Sequence, residues 1–118
     1  MERKIINIFD FVGGKAAVST EDGERLFQTI SAFLEKDVEV VLDFANIETL
    51  ITTFLNAAIG QLYSKYDSPF LREHLRVINL APEDRERMVR TIERAKEYFE
   101  EKDKGNVEDS IREALDDE

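Results

Sequence analysis

Two adjacent threonines, Thr52 and Thr53, stand where an apolar run over residues 38–44 (VEVVLDF) gives way to a helical pattern. A hydroxyl at a helix start can cap it, accepting a hydrogen bond from a first-turn N–H, or carry a phosphoryl group beside the positive end of the dipole. Thr52 is read as the N-cap, accepting from the N–H of Phe54 or Leu55, and either threonine is a candidate for phosphorylation. Few other residues offer chemistry. His74 is the one histidine, and Glu73 is a neighbour in sequence, not a ligand set, so His74 is read as solvated, with no metal. Gly13-Gly14-Lys15 lacks the spacing and hydroxyl of a phosphate-binding loop and reads as a turn. Asp43, beside Phe44 at the end of the apolar run, is assigned a structural role. With no cysteine there is no thiol nucleophile, thiolate metal cluster or disulfide framework. The expectation is a non-enzymatic chain without cofactor, in a reducing compartment, with the cytoplasm as default.

The 118 residues suit one domain, and 42% hydrophobic against 36% charged residues is enough apolar matter for a core. Sixteen basic and 26 acidic side chains give a net charge of −10, which repels phosphate backbones and anionic lipid and argues against nucleic-acid or membrane partners. The acidity leans to the C-terminal third, with 14 acidic and 8 basic side chains from Glu83 onward. The charge run there contains pairs such as Glu86 and Arg90 and reads as a wet helix face. The longest charge-free stretch, Thr49 to Ser64, is 16 residues with several polar ones, too short and too polar for a membrane span, and the first residues lack the basic-then-apolar design of an export signal.

Periodicity supplies the elements that must hold the threonines. Residues 4–11 (KIINIFDF) predict a strand, and Gly13-Gly14 turns the chain into a short apolar stretch, 16–18, as a hairpin. Ser19 or Thr20 caps a helix with Glu21 and Asp22 in its first turn and Leu26, Phe27, Ile30, Phe33 and Leu34 at helical spacing. Residues 38–44, apolar at five of seven positions without alternation, predict a central strand covered on both faces. After the threonines, a helical projection places Phe54, Leu55, Ala58, Ile59, Leu62, Tyr63 and Tyr66 on the half facing the sheet. Thr53, Asn56, Ala57, Gly60 and Ser64 then form a strip of small side chains on the other half, suited to partner docking or to packing under another helix. A second buried strand follows at 76–80 (RVINL). Pro82 opens a helix with Met88, Val89, Ile92, Ala95 and Phe99 as its stripe, ended by Gly105. Asn106 caps a last short helix bearing Val107, Ile111, Ala114 and Leu115. The alternating order predicts a small α/β domain over 1–104, a mixed sheet of about four strands with packed helices and 38–80 as one right-handed parallel unit, followed by a short helix or tail over 105–118.

Residues 42–60 (LDFANIETLITTFLNAAIG) resemble the strand-turn-helix signature of STAS domains, the anti-sigma-factor antagonists. Thr52 falls on that family's phosphorylated serine, Thr53 on the serine after it, Leu55 on its leucine and Gly60 on a glycine farther along the helix. Ile51 stands where the family has aspartate, and Phe54 and Asn56 replace its two glycines. The chain is more closely similar to a bacterial STAS-like family in Leu42-Asp43-Phe44 and Thr53-Phe54-Leu55-Asn56, with Ser19 and Gly23 also in place and Thr20 in the position of an arginine. The likeness covers roughly residues 4–95. It implies a signalling module that docks a histidine-kinase-like ATPase or serine kinase through the turn at Thr52 and Thr53, with phosphorylation switching the complex. Two other readings stand beside it. One is a small-ligand or nucleotide sensor binding an anion at the same helix start. The other is a self-associating structural protein, a homodimer through the strip or through the Val107 to Leu115 stripe.

Overall fold

The computed structural model describes the backbone of residues 1–111 and the side chains of residues 1–99. The elements run β1 (Arg3–Asn7), α1 (Ile8–Val12), β2 (Ala16–Ala17), α2 (Thr20–Leu34), β3 (Glu39–Asp43), β4 (Thr49–Leu50), α3 (Thr52–Ala58), a 3-10 turn (Gly60–Ser64), α4 (Ser68–His74), β5 (Leu75–Ile78) and α5 (Pro82–Ile111). The first strand is shorter than its run of strand-forming residues because Asn7 becomes a helix cap: its side-chain oxygen accepts the N–H of Asp10 at 2.8 Å. Gly13, at φ 84°, closes α1 in the left-handed region and donates its N–H to the Phe9 carbonyl. The strand expected over 4–11 therefore ends at Asn7, and Ile8 enters the core from a helix.

β1, β3 and β5 form a parallel sheet in the order β1-β3-β5, with Ile5 opposite Val41 and Val41 opposite Arg76. β3 is central, as its apolar run predicts. β2 makes no hairpin with β1; it pairs in parallel with β4 in a separate two-stranded ladder. The α/β class holds, with the strands divided between two small parallel sheets. Ile6, Val40 and Leu42 face the core shared with Leu26 and Ile30 of α2 and Phe54, Leu55 and Ala58 of α3. On the other sheet face β3 itself is covered, Val41 being 5% exposed, while the flanking strands are open: Ile5 and Ile78 are 56% and 40% exposed there. On that face Glu39 is gripped by Arg3 and Arg76 from the two flanking strands, and Asp43 accepts from the Ala45 N–H and the Asn79 side-chain amide. These polar groups let the face meet water.

Of the two candidate caps, Ser19 takes the position at α2, accepting the Asp22 N–H at 3.0 Å, and Thr20 is the first helical residue. α2 approaches α3 closely at Gly23, where an added Cβ would stand 2.7 Å from both the Ala57 Cβ and the Phe54 carbonyl oxygen. Only a residue without a side chain permits that approach. α3 stops at Ala58, and the next residues tighten into the 3-10 turn, so a single helical projection does not carry through to Ser64. α5 passes Gly105 and Asn106 without a break, against the expected end at Gly105; a glycine inside a helix costs only about 1 kcal/mol. Its buried side is Asp84, Met88, Thr91 and Ala95, whereas Val89, expected in the stripe, is 46% exposed. Ala114 and Leu115 lie outside the described residues.

Candidate functional site

Thr52 and Thr53 are the first two residues of α3, not its caps. The cap position is Ile51, extended at φ −121°, ψ 161°, with no side-chain hydrogen bond to the first turn. The expected cap by Thr52 is therefore absent, because the helix begins one residue earlier than a capping threonine requires. About a quarter-turn apart on the helix, the two hydroxyl residues belong to different cavities. Thr53 is exposed and lines a groove of about 680 Å³ between α2 and α3. Asn56 and Ala57 line it from the same helix, and Thr20, Glu24, Phe27 and Gln28 from α2. Thr52 is half-buried and lines a smaller cavity of about 150 Å³ shared with Arg87, Arg90, Thr91 and Arg94 of α5.

The predicted strip is thus divided. Thr53, Asn56 and Ala57 share the groove, but Gly60 is buried beneath α5, where an added Cβ would sit 3.9 Å from the Thr91 methyl and from the Ala95 Cβ. Ser64 is exposed at the end of the 3-10 turn, its hydroxyl donating to the Gln61 carbonyl at 2.6 Å, and does not line the groove. Sequence reasoning missed the α2 wall and the α5 arginines. The signals were present: Thr20, Glu24, Phe27 and Gln28 recur at helical spacing, and Arg87, Arg90 and Arg94 follow one another at intervals of three and four.

A STAS-like domain family of unknown function matches residues 22–85, more than half of the chain, from the start of α2 to the first turn of α5. The chain belongs to this STAS-like family. No curated protein and no solved structure gives a significant match. The matched span of the STAS-like domain contains Gly23, both threonines, α3 and all of α2 but its first two residues.

Elsewhere in the STAS-like domain, His74 is 4% exposed and not solvated as expected. Its Nε2 lies 2.7 Å from the Asp37 carboxylate, its Nδ1 lies 2.9 Å from the Phe70 carbonyl, and its ring stacks on Phe70 with centroids 3.9 Å apart. Burial opposes the ring's charge, but the Asp37 hydrogen bond, the Phe70 carbonyl and the charges of Asp37 and Glu73 outweigh it and raise the pKa. The Arg76 hydrogen bond holds the Glu39 carboxyl below its ordinary range against the opposing pull of burial, with Arg3 adding to it. Burial and the Glu35 carboxylate push the Tyr66 hydroxyl up to about 12. All three are cross-links between elements. Among the described residues no group of three or more His, Cys, Asp or Glu could hold a metal, and no helix is long and apolar enough to cross a membrane.

Proposed function

We propose that this STAS-like domain is a non-enzymatic regulatory module whose α2–α3 groove docks a segment of a protein partner. The observation that carries the reading is the exposure of Thr53 in a groove with a partly apolar wall, Phe27 and Ala57, and a polar border of Thr20, Glu24, Gln28, Asn56 and Gln61. An apolar centre with a polar border is how protein recognition surfaces are built. The resemblance to anti-sigma-factor antagonists supports a kinase-like ATPase or serine kinase as the partner class, and a cytoplasmic signalling role. Of the two candidate hydroxyls, Thr53 is the more accessible to a kinase. A phosphoryl group there adds close to two negative charges in a groove that Glu24 also lines and places a strongly hydrated anion in the docking surface, which opposes binding.

Partner binding is tested with a kinase-like ATPase recovered on the tagged chain from its own cells. Its affinity is then remeasured by calorimetry for Gln28→Arg and Thr53→Glu, with Ile5→Thr on the open sheet face as control. The groove reading expects both groove variants to lose at least about tenfold in affinity, equivalent to about 1.4 kcal/mol, and the control to bind normally. Unchanged binding by both groove variants would remove the groove from consideration. Phosphate incorporation by that kinase should fall in Thr53→Ala, and labelling that survives the double substitution of Thr52 and Thr53 by alanine would defeat the switch.

A further inference from the structure

We propose that the cavity between Thr52 and α5 is a receptor for a phosphate-class oxyanion. It lies apart from the docking groove, and its argument uses none of the groove residues. Three arginines, Arg87, Arg90 and Arg94, outnumber the two glutamates, Glu83 and Glu86, that line the same space of about 150 Å³, in a chain whose net charge is −10. That volume is roughly ten times what one water needs, so a four-oxygen anion fits with waters to spare.

The arginines are not equally engaged. Arg87 is held at 2.7 Å by the buried carboxylate of Asp84. Arg90 meets only Glu86, a pair 2.9 Å apart whose side chains are 56% and 81% exposed, and such a surface pair is weak enough to exchange for a dianion. Arg94 has no ion pair among the described residues. Guanidinium groups bind tetrahedral oxyanions through paired, charge-assisted hydrogen bonds, so Arg90 and Arg94 supply the donors such a ligand needs.

A second observation comes from Thr91. It is 2% exposed, lines the same cavity, and its Oγ1 has no hydrogen-bond partner. A buried hydroxyl is ordinarily satisfied. An anion seated between Arg90 and Arg94 gives that hydroxyl an acceptor, and Thr52 lines the same cavity from α3. α3, with seven residues, is too short to make the site by itself. The charge comes from α5. The phosphoryl group has two sources: a free phosphate compound entering from solvent, or a phosphoryl carried on Thr52 itself.

The test uses the full chain in two arms. In the first, inorganic phosphate is titrated at constant ionic strength against the amide resonances of Thr52 and Thr91 and the Arg94 Nε–H, with chloride as control. The expected result is a saturable shift whose dissociation constant rises at least about tenfold in Arg94→Gln and severalfold in Thr91→Val, which keeps the side-chain volume. In the second arm, phosphothreonine is encoded at position 52, and Arg94→Gln is expected to lower the melting temperature of the modified chain while leaving that of the unmodified chain unchanged. An Arg94-dependent response in the first arm identifies a free ligand, and one in the second identifies the chain's own phosphoryl; either supports the site. The absence of any Arg94-dependent response in both arms overturns it, whatever the groove variants do to partner binding.

Discussion

His74 shows how one side chain can join elements distant in sequence. Both ring nitrogens face acceptors, the Phe70 carbonyl and the Asp37 carboxylate, so the doubly protonated ring satisfies both at once. Because the folded ring holds its proton to higher pH than the unfolded value of 6.5, its contribution to stability is complete below that value and is lost as pH rises through the folded pKa. Asp37 occupies the left-handed region at φ 61°, which asparagine also tolerates, so Asp37→Asn removes the charge without a backbone penalty. The variant is expected to lose about 1 kcal/mol near neutrality and to show a flatter decline toward alkaline pH, measured as urea midpoints across the range. Glu39 works in the opposite direction: its depressed pKa means that its stabilisation is present above the ordinary carboxylate value and fades as pH falls through the depressed one. His74 reads in the sequence as a lone surface histidine, because its partner lies 37 residues away, across β3.

At the scale of elements, two glycines within helical segments have different contacts. Gly23 lies against the Ala57 side chain and the Phe54 backbone, and neither can move aside without displacing α3. Gly23→Ala is expected to cost on the order of 1–3 kcal/mol. Gly60 has its nearest neighbours at 3.7–3.9 Å, ordinary contact, so Gly60→Ala is expected to be tolerated and to stabilise by about 0.4–1 kcal/mol through the unfolded chain. Gly60→Leu drives the added carbons into Thr91 and Ala95 and is expected to destabilise by about 1–3 kcal/mol, whereas an exposed strip would have accepted it. Urea unfolding of the three variants checks this set. The single step from Thr52 to Thr53 matters for the same reason: α3 is pressed on one side by α2 and on the other by α5, so its consecutive residues serve two cavities.

Across the whole molecule, charge and the uneven cover of the sheet dominate. A net charge of −10 repels itself in the compact state, so the melting temperature should rise as added salt shortens the Debye length from about 30 Å at 0.01 M to about 8 Å at physiological strength. Scanning calorimetry against sodium chloride measures the trend, and a falling melting temperature would show that ion pairs such as Arg3–Glu39–Arg76 outweigh the repulsion. On the open sheet face, Ile5→Thr should change stability by less than about 0.5 kcal/mol. On the covered face, Leu42→Ala should cost about 2–5 kcal/mol.

Residue types and their spacing by themselves determined the α/β class, the central place of β3, a hydroxyl cap at Ser19 or Thr20, the start of α5 at Pro82 and the inward half of α3, because each depends on local periodicity or on a side chain bonding within its own turn. Tertiary structure alone decided which strands pair, that Asn7 turns β1 into α1 before the apolar run ends, and that α5 covers Gly60 while leaving Thr53 open. Those outcomes depend on contacts between residues far apart in the chain. A strip of small side chains is equally compatible with an outside partner and with an inner helix, and only the path of α5 separates the two.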